Sequence, residues 1–495
     1  MTSLRRKTVS GVLWSGSSKL ILQLVLFFVT TILARLLSKD DFGVIGMAAI
    51  ITVAINMVND RGLGTAIVQR REINRRHLST MFWGSVMFGL LLYLISAAAA
   101  VPLAAFFRKE IVTPVVLVIA LGFVVGGFGI VQKSLLTRDM EFKTLSILEI
   151  VSVLLSGAAA VVLALTGFGV WALAANSLLR DVFNVIGLWI VCPWRPERHF
   201  SWREFRDYLG FSSKVLANDG AIYLITNTDV TIIGRVLGSA ALGVYNLSLY
   251  LVKLPVTRIS AIVGRVVFPA FAAVQDDRQK FKNAYLRSMK FISLITFPLL
   301  AILAVFAHEF IAVVFGDKWQ EMALPLVILT PMAMLKSVGT LRGSVLMAVG
   351  KPHIELNWNL FYLLPLVAVV YAGTLYGING VALAFTALYV VTFPIIQHLT
   401  NRQVDVTMRE FVRSIATTSS ATLLMIVGGL ALRRVLKNID IGPFLLLVGG
   451  ALFTGSIYLA ALWIFDKKMF ADLRLLLHPP KPSADMVFAE ELISE

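Results

Sequence analysis

Apolar residues fill this chain in long runs separated by short polar or basic joints. Windows of about twenty residues pick out fourteen runs. They cover 11–34, 42–60, 80–106, 111–132, 145–166, 169–192, 211–236, 241–270, 288–315, 323–349, 357–376, 378–399, 414–432 and 442–465. At ~1.5 Å rise per residue, runs of this length cross most or all of a ~30 Å hydrocarbon layer. The pattern predicts an all-α polytopic membrane protein with about fourteen transmembrane helices. The fifth and sixth runs meet at Gly167-Phe168 and the eleventh and twelfth at Gly377-Ile378, joints short enough to require antiparallel neighbours.

Composition agrees with this pattern. Of the 495 residues, 58% are hydrophobic and 15% charged, and mean hydropathy is +0.81. This is too apolar for an ordinary soluble protein. The single cysteine, Cys192, forms no internal disulfide, so nothing depends on an oxidising compartment. A net charge of +16 would suit a nucleic-acid binder, but basic cytoplasmic loops produce the same excess in a polytopic membrane protein. No nucleic-acid partner is expected. No cleavable signal peptide is evident, because the apolar stretch after the basic Met1–Lys7 is too long and lacks a small-residue cleavage site.

The basic residues alternate between loops. One set holds Arg5, Arg6 and Lys7; Arg70, Arg71, Arg75 and Arg76; Lys133, Arg138 and Lys143; Arg195, Arg198, Arg203 and Arg206; Arg278, Lys280, Lys282 and Arg287; and Arg402, Arg409 and Arg413. The opposite loops are poor in them, apart from Arg433, Arg434 and Lys437 before the last run. By the positive-inside rule both termini are cytoplasmic, as an even number of spans requires.

An internal repeat organises the spans. Residues 34–46, ARLLSKDDFGVIG, align with 234–246, GRVLGSAALGVYN, matching Arg35 to Arg235 and Gly43 to Gly243. Both copies start on the same side, so the repeat is parallel, with an axis along the membrane normal. The expected layout is two pseudo-symmetric six-helix lobes plus two C-terminal helices. Residues 1–192 form the first lobe, 193–210 a cytoplasmic interfacial linker, 211–400 the second lobe, 401–465 the last two helices, and 466–495 a cytoplasmic tail.

The run at 211–236 is the most polar. Lys214, Asn218 and Asp229 share a sector of one helix face, with Asp219 on the adjacent stripe and Asn227 in the same run. In the first run Lys19 and Gln23 stand one turn apart, as Lys214 and Asn218 do. Lys253 and Arg258 lie in the eighth run and Lys336 and Arg342 in the tenth. Ionised groups within a bilayer cost ~2.5–3.5 kcal/mol each on insertion scales, so they rarely face lipid. Cations outnumber acids here, which favours an anionic ligand between low-dielectric walls. The candidate substrate-binding residues are Lys19, Lys214, Lys253, Arg258, Lys336 and Arg342. Gln23, Asn218, Asp219, Asn227 and Asp229 are candidates for lining the same cavity or binding a coupling ion. Pairing between helices is the competing role for each of them. Pro255, Pro298, Pro331, Pro365 and Pro394 are expected to interrupt their spans.

The chain shows no helical histidine pair suited to metal, no HExxH, no P-loop and no GxSxG. No cofactor or metal is expected, and no enzyme activity. Without a nucleotide site, transport would run on a H+ or Na+ gradient or on the substrate's own gradient.

Several motifs then occur in a familiar order: DRGLGTAIVQRR from Asp60, HLSTMFW from His77, GFGVWAL from Gly167, TDVTIIGRVLG from Thr228, LGVYNL from Leu242, VGRVVFPAFA from Val263 and GDKW from Gly316. This set resembles the polysaccharide exporters of the Wzx type, the colanic acid exporter subgroup most of all, within the multidrug/oligosaccharidyl-lipid/polysaccharide superfamily. The resemblance implies a two-lobed bundle in the bacterial inner membrane that flips undecaprenyl-diphosphate-linked oligosaccharide by alternating access, for exopolysaccharide or lipopolysaccharide biosynthesis. It implies a lipid-linked oligosaccharide and the bilayer as partners, a polysaccharide polymerase and glycosyltransferases acting beside it, and a monomer. The competing readings are an organic-cation or multidrug exporter, which would want an acidic cavity; a lipid II flippase; and a membrane glycan polymerase, which would want a large outer loop.

Overall fold

The structure is a computed structural model that describes residues 2–60, 74–202, 227–273, 277–436, 439 and 442–466, with the backbone alone at 2–17, 56–60, 261–270, 272 and 273. Most of the described residues are helical and none lies in a strand. The first helices are α1 (Thr2–Leu36), α2 (Lys39–Asp60), α3 (Arg75–Phe107), α4 (Val112–Gly127), α5 (Ile130–Arg138), α6 (Phe142–Leu165) and α7 (Val170–Val191). There follow α8 (Thr228–Val236), α9 (Gly238–Ala273), α10 (Arg278–Val305), α11 (Ala307–Val314), a 3-10 turn at Asp317–Met322, α12 (Ala323–Gly339) and α13 (Arg342–Ala348). The last are α14 (His353–Gly373), α15 (Gly377–Asn401), α16 (Met408–Leu436) and α17 (Pro443–Phe465).

Among the described residues, ten stretches are long and apolar enough to cross a membrane, or eleven with the bent pair α4–α5 counted as one span. The expected number of fourteen is not reached in that tally. His353–Val404 counts once, although the chain turns at Thr374–Tyr376 and Gly373 lies back against Gly380. The helix α2 is bounded by Lys39, Asp40 and Asp41 at one end and by Asn56, Asn59 and Asp60 at the other, and it is absent from the tally. Most of 211–236 lies outside the described residues.

Three runs expected as single helices are broken. The chain bends by 50° between α4 and α5, and helix breaks also fall at Phe306 and at Thr340-Leu341. The prolines do not interrupt their helices: Pro298, Pro331, Pro365 and Pro394 all lie inside continuous ones, and so does Pro255 in α9. A proline removes one N–H and orphans the carbonyl four residues back. At Pro298 that carbonyl belongs to Leu294, and the Tyr458 hydroxyl of α17 donates to it at 2.8 Å. A partner from a distant segment thus repairs the helix.

The chain forms two compact units. The first comprises Met1–Tyr250, Val314–Pro325 and Leu356–Leu388. Within it α1 packs on α6, α6 on α7, and α4 receives α2, α3 and α7. The backbones of α3 and α4 approach closely: a Cβ on Gly89 would stand 2.3 Å from the Phe123 carbonyl oxygen, and Ser85 Oγ donates to the Gly127 carbonyl at 2.8 Å. Leu33, Leu37, Ala160 and Ala172 form one core cluster, and Leu78, Met81, Phe82 and Val131 another. The linker continues this unit as non-helical chain through residue 201, held to α3 by Trp83 Nε1 donating to the Glu197 carbonyl at 3.0 Å.

Carbonyls at and just beyond the C-terminal end of α1 find side-chain partners within the same unit. Lys318 Nζ donates to the carbonyls of Arg35 (2.8 Å) and Leu37 (2.7 Å), and Trp319 Nε1 to that of Ala34 (2.8 Å). A cation at a helix C-terminus also opposes the negative end of the dipole.

The second unit comprises Leu251–Val313, Leu326–Glu355 and Tyr389–Glu495. Phe271, Phe281, Tyr285, Met289, Val338, Phe393 and Phe411 centre its core. The helices α16 and α17 pack on each other and on α10 through Leu294, Ala301, Ala421, Met425 and Tyr458. Large apolar side chains such as Leu94, Leu165, Ile190, Leu364, Val391 and Trp463 are exposed across both units, as lipid-facing surfaces require.

Candidate functional site

Four of the candidate cations belong to the second unit. Lys253 and Arg258 lie on α9, Lys336 on α12, and Arg342 opens α13. A hydroxyl seam joins the elements that carry them. Ser260 and Thr340 share a hydrogen bond at 2.9 Å, Thr340 Oγ1 donates to the Ser337 carbonyl at 2.6 Å, and Ser337 and Thr296 share another at 2.9 Å. Ser260 of α9 thus meets the break that ends α12. Lys253 precedes Ser260 by seven residues and Lys336 precedes Thr340 by four, so each sits on the seam face of its helix, ~10 Å and ~6 Å along it. Both lysines are half-buried. Arg258 is exposed and turned by ~200° from Ser260. The structure therefore brings Lys253, Lys336 and Arg342 to one seam and sets Arg258 apart from it.

Arg342 is the most constrained of the four. Its Nε lies 3.5 Å from Glu355 Oε1, with 16% of the Arg342 side chain and 31% of the Glu355 side chain exposed. The Tyr389 hydroxyl lies near the same guanidinium, both facing Gly339. The Nε itself is buried without a hydrogen-bond partner, which leaves a donor for an oxyanion. The helix restarts at Arg342 after the break at Thr340-Leu341.

The remaining described candidates belong to the first unit. Lys19 is exposed on α1. Gln23, 9% exposed, donates from Nε2 to the Tyr250 hydroxyl at 3.1 Å. Asn227 precedes α8 and its carbonyl accepts from the Thr231 backbone N–H (3.0 Å) and hydroxyl (2.9 Å). Asp229 is buried in the first turn of α8, where the helix dipole favours a carboxylate. It accepts from the Tyr245 hydroxyl and the Val230 N–H, each at 2.9 Å. Gln23 and Asp229 are thus engaged in bracing α1 and α8 against α9. Lys214, Asn218 and Asp219 lie outside the described residues.

Several charged groups have partners or surroundings that the sequence does not show. Glu309 of α11 accepts from Arg433 of α16 at 2.9 Å, and Arg433 also donates to the Val305 carbonyl at 2.8 Å. Lys109 bonds both Asp40 oxygens, at 3.0 and 2.9 Å, and Ser239 bonds the same carboxylate. Arg180 and Asp181 sit midway along α7, and their depth in the sixth run is the signal that marks them.

Comparison with known proteins places these features. The chain superimposes on the lipid II flippase MurJ in its inward closed conformation with a TM-score of 0.75 at 14% identity, over 93% of this chain and all of that one. An inward-facing multidrug resistance MATE family transporter of the MOP superfamily gives 0.62 at 18% identity, over 78% and 94%. The fold is that of the MOP-superfamily flippases and transporters. In sequence, the model of the polysaccharide biosynthesis protein family matches residues 32–324. The chain is 30% identical over 396 residues to the lipopolysaccharide biosynthesis protein WzxC of Escherichia coli (strain K12), covering 79% of this chain and 80% of that one. It is also 30% identical over 399 residues to the teichuronic acid biosynthesis protein TuaB of Bacillus subtilis (strain 168), covering 79% and 82%. The chain belongs to this polysaccharide biosynthesis family.

Proposed function

We propose that the protein flips an undecaprenyl-diphosphate-linked oligosaccharide from the cytoplasmic to the outer leaflet of a bacterial inner membrane by alternating access of two lobes, with both termini cytoplasmic. The observation that carries this reading is the seam of Lys253, Lys336 and Arg342 in the second unit. Cations held half-buried in a low-dielectric bundle favour an anion, and a guanidinium with an unsatisfied Nε suits phosphate oxygens. A diphosphate would draw Arg342 from Glu355, a contact already long at 3.5 Å. The lysines would add point charge, and the sugar chain would follow the diphosphate. Lys19, Lys214 and Arg258 serve in this account as further cations on the route. Asp229 and Asp219 are the acids assigned to H+ or Na+ coupling, with Gln23, Asn218 and Asn227 as polar lining. An organic-cation exporter would need an acidic seam in the same place.

The test is glycan export in cells with Lys253→Ala and Arg342→Ala at matched protein levels. Each substitution is expected to lower export at least tenfold, and Arg342→Lys to recover only part of the loss, because lysine lacks the planar fork. Wild-type export by both alanine variants would remove the seam from the mechanism.

A further inference from the structure

A cavity of about 450 Å³ lies inside the first compact unit, lined by residues of α4, α6 and α7 together with Lys133 of α5. Its polar lining is Lys133, Glu149, Ser177, Arg180, Asp181 and Asn184. Lys133, Glu149 and Arg180 are exposed, and Ser177, Asp181 and Asn184 half-buried. Ser177, Asp181, Asn184 and Leu188 follow one another at helical spacing, so α7 presents a continuous face to the cavity. Gly122 makes room on α4: a Cβ there would stand 2.6 Å from Asp181 Oδ2.

Ionised side chains in the middle of an apolar span are costly, so Arg180 and Asp181 call for polar company there. Arg180 and Asp181 lie ~15 Å from either end of α7. Lys133, Glu149 and Arg180 form no ion pair among the described residues. Two cations and two acids cancel formally, so the cavity as a whole attracts neither an anion nor a cation. What it offers instead is a dense mixture of donors (Lys133, Arg180, Asn184, Ser177) and acceptors (Glu149, Asp181, Asn184, Ser177). A hydroxyl group is both donor and acceptor, so a polyhydroxylated ligand matches such a wall. Phe123 and Leu188 supply apolar surface for C–H faces. The volume falls in the ~300–1,000 Å³ range of small-ligand sites.

We infer that this cavity binds the sugar hydroxyls of the carried glycan and sets which repeat unit is accepted, separately from the seam that holds the diphosphate. The inference rests on the reading that the cargo is a lipid-linked oligosaccharide. Discrimination by a site built to hydrogen-bond hydroxyls is steep, because a missing partner leaves polar groups unpaired.

The experiment reconstitutes the full chain in vesicles. It compares flipping of undecaprenyl diphosphate carrying a complete oligosaccharide with the same carrier trimmed to one sugar. Glu149→Leu and Asn184→Leu are expected to slow the complete carrier at least tenfold while leaving the trimmed one within twofold of wild type, and Glu149→Gln to restore most of the rate. Should both leucine variants move both carriers at wild-type rates, or slow both equally, the inference fails while the flippase reading stands. A variant effect that follows the phosphatidylethanolamine content of the vesicles, and not the sugar, would make the cavity a lipid headgroup site and overturn the inference. Wild-type protein that moves neither carrier would defeat the flippase reading and the inference with it.

Discussion

Gly43 of α2 lies against the main chain of Ser239 at the start of α9, so close that a Cβ would stand 1.7 Å from the Ser239 carbonyl oxygen. The converse contact also exists: a Cβ on Gly243 would stand 2.1 Å from the Lys39 carbonyl oxygen. The alignment of 34–46 with 234–246 pairs Lys39 with Ser239 and Gly43 with Gly243. Each copy therefore touches the other through the same two positions, the reciprocity of a two-fold contact. Gly46 and its counterpart Asn246 meet at the same crossing. Gly43→Ala and Gly243→Ala should each destabilise the protein by about 1–3 kcal/mol through overpacking, and by similar amounts. Thermal unfolding in detergent reads this, and an unchanged midpoint in either variant would contradict the crossing.

The Tyr458 hydroxyl meets the Leu294 carbonyl that Pro298 leaves orphaned. Tyr458→Phe should cost about 1–3 kcal/mol, the penalty of a buried unsatisfied group. Adding Pro298→Ala returns the missing N–H, so the double variant should be more stable than Tyr458→Phe alone. Simple additivity in a double-mutant cycle would show that the hydroxyl does not act on that carbonyl.

Arg433, in the last turn of α16, pairs with Glu309 of α11. Glu309 is 9% exposed and its Oε2 has no hydrogen-bond partner. Arg433→Met strands that carboxylate and should destabilise by about 1–3 kcal/mol, less than a fully buried pair because Arg433 is partly solvated. The combination with Glu309→Gln should recover most of the loss, as judged by chemical unfolding.

Asp277 caps α10, accepting from the Lys280 N–H at 3.0 Å and pairing with Lys280 Nζ at 3.1 Å. The backbone hydrogen bond first, then the Lys280 side-chain bond and charge, hold its carboxyl below the usual 3.8. A depressed folded value means that the cap is intact above 3.8 and lost as pH falls through the lower folded value. Amide exchange in the first turn of α10 should accelerate over that window, and Asp277→Asn should flatten the pH dependence.

The broad architecture was legible because membrane burial forces apolar runs and basic loops onto the sequence. Gly43 and Gly243, matched to each other in the sequence, occupy a crossing that admits no side chain. Other features depend on partners distant in sequence. The Pro298 helix stays continuous because Tyr458 lies beside it, and Arg433 is tolerated because Glu309 faces it. Hydropathy does not register the breaks at Phe128-Gly129, Phe306 and Thr340-Leu341, since the residues on both sides are equally apolar. Arg180 and Asp181 join Glu149 and Lys133 only through the fold, which sets all four in the same cavity. Among the candidate cations, depth in the run was a fair guide to burial for Lys253, Lys336 and Arg342 and a poor one for Lys19 and Arg258.

The central claim is that cations within the bundle carry a diphosphate-linked glycan across the membrane. Its most direct test places purified protein in vesicles loaded with fluorescent undecaprenyl-diphosphate oligosaccharide and measures how fast the sugar becomes accessible to an external lectin. Wild-type protein should raise that rate well above protein-free vesicles, and Lys253→Ala/Arg342→Ala should return it to background. A rate no higher than in empty vesicles, or one indifferent to the loss of both cations, would contradict the account.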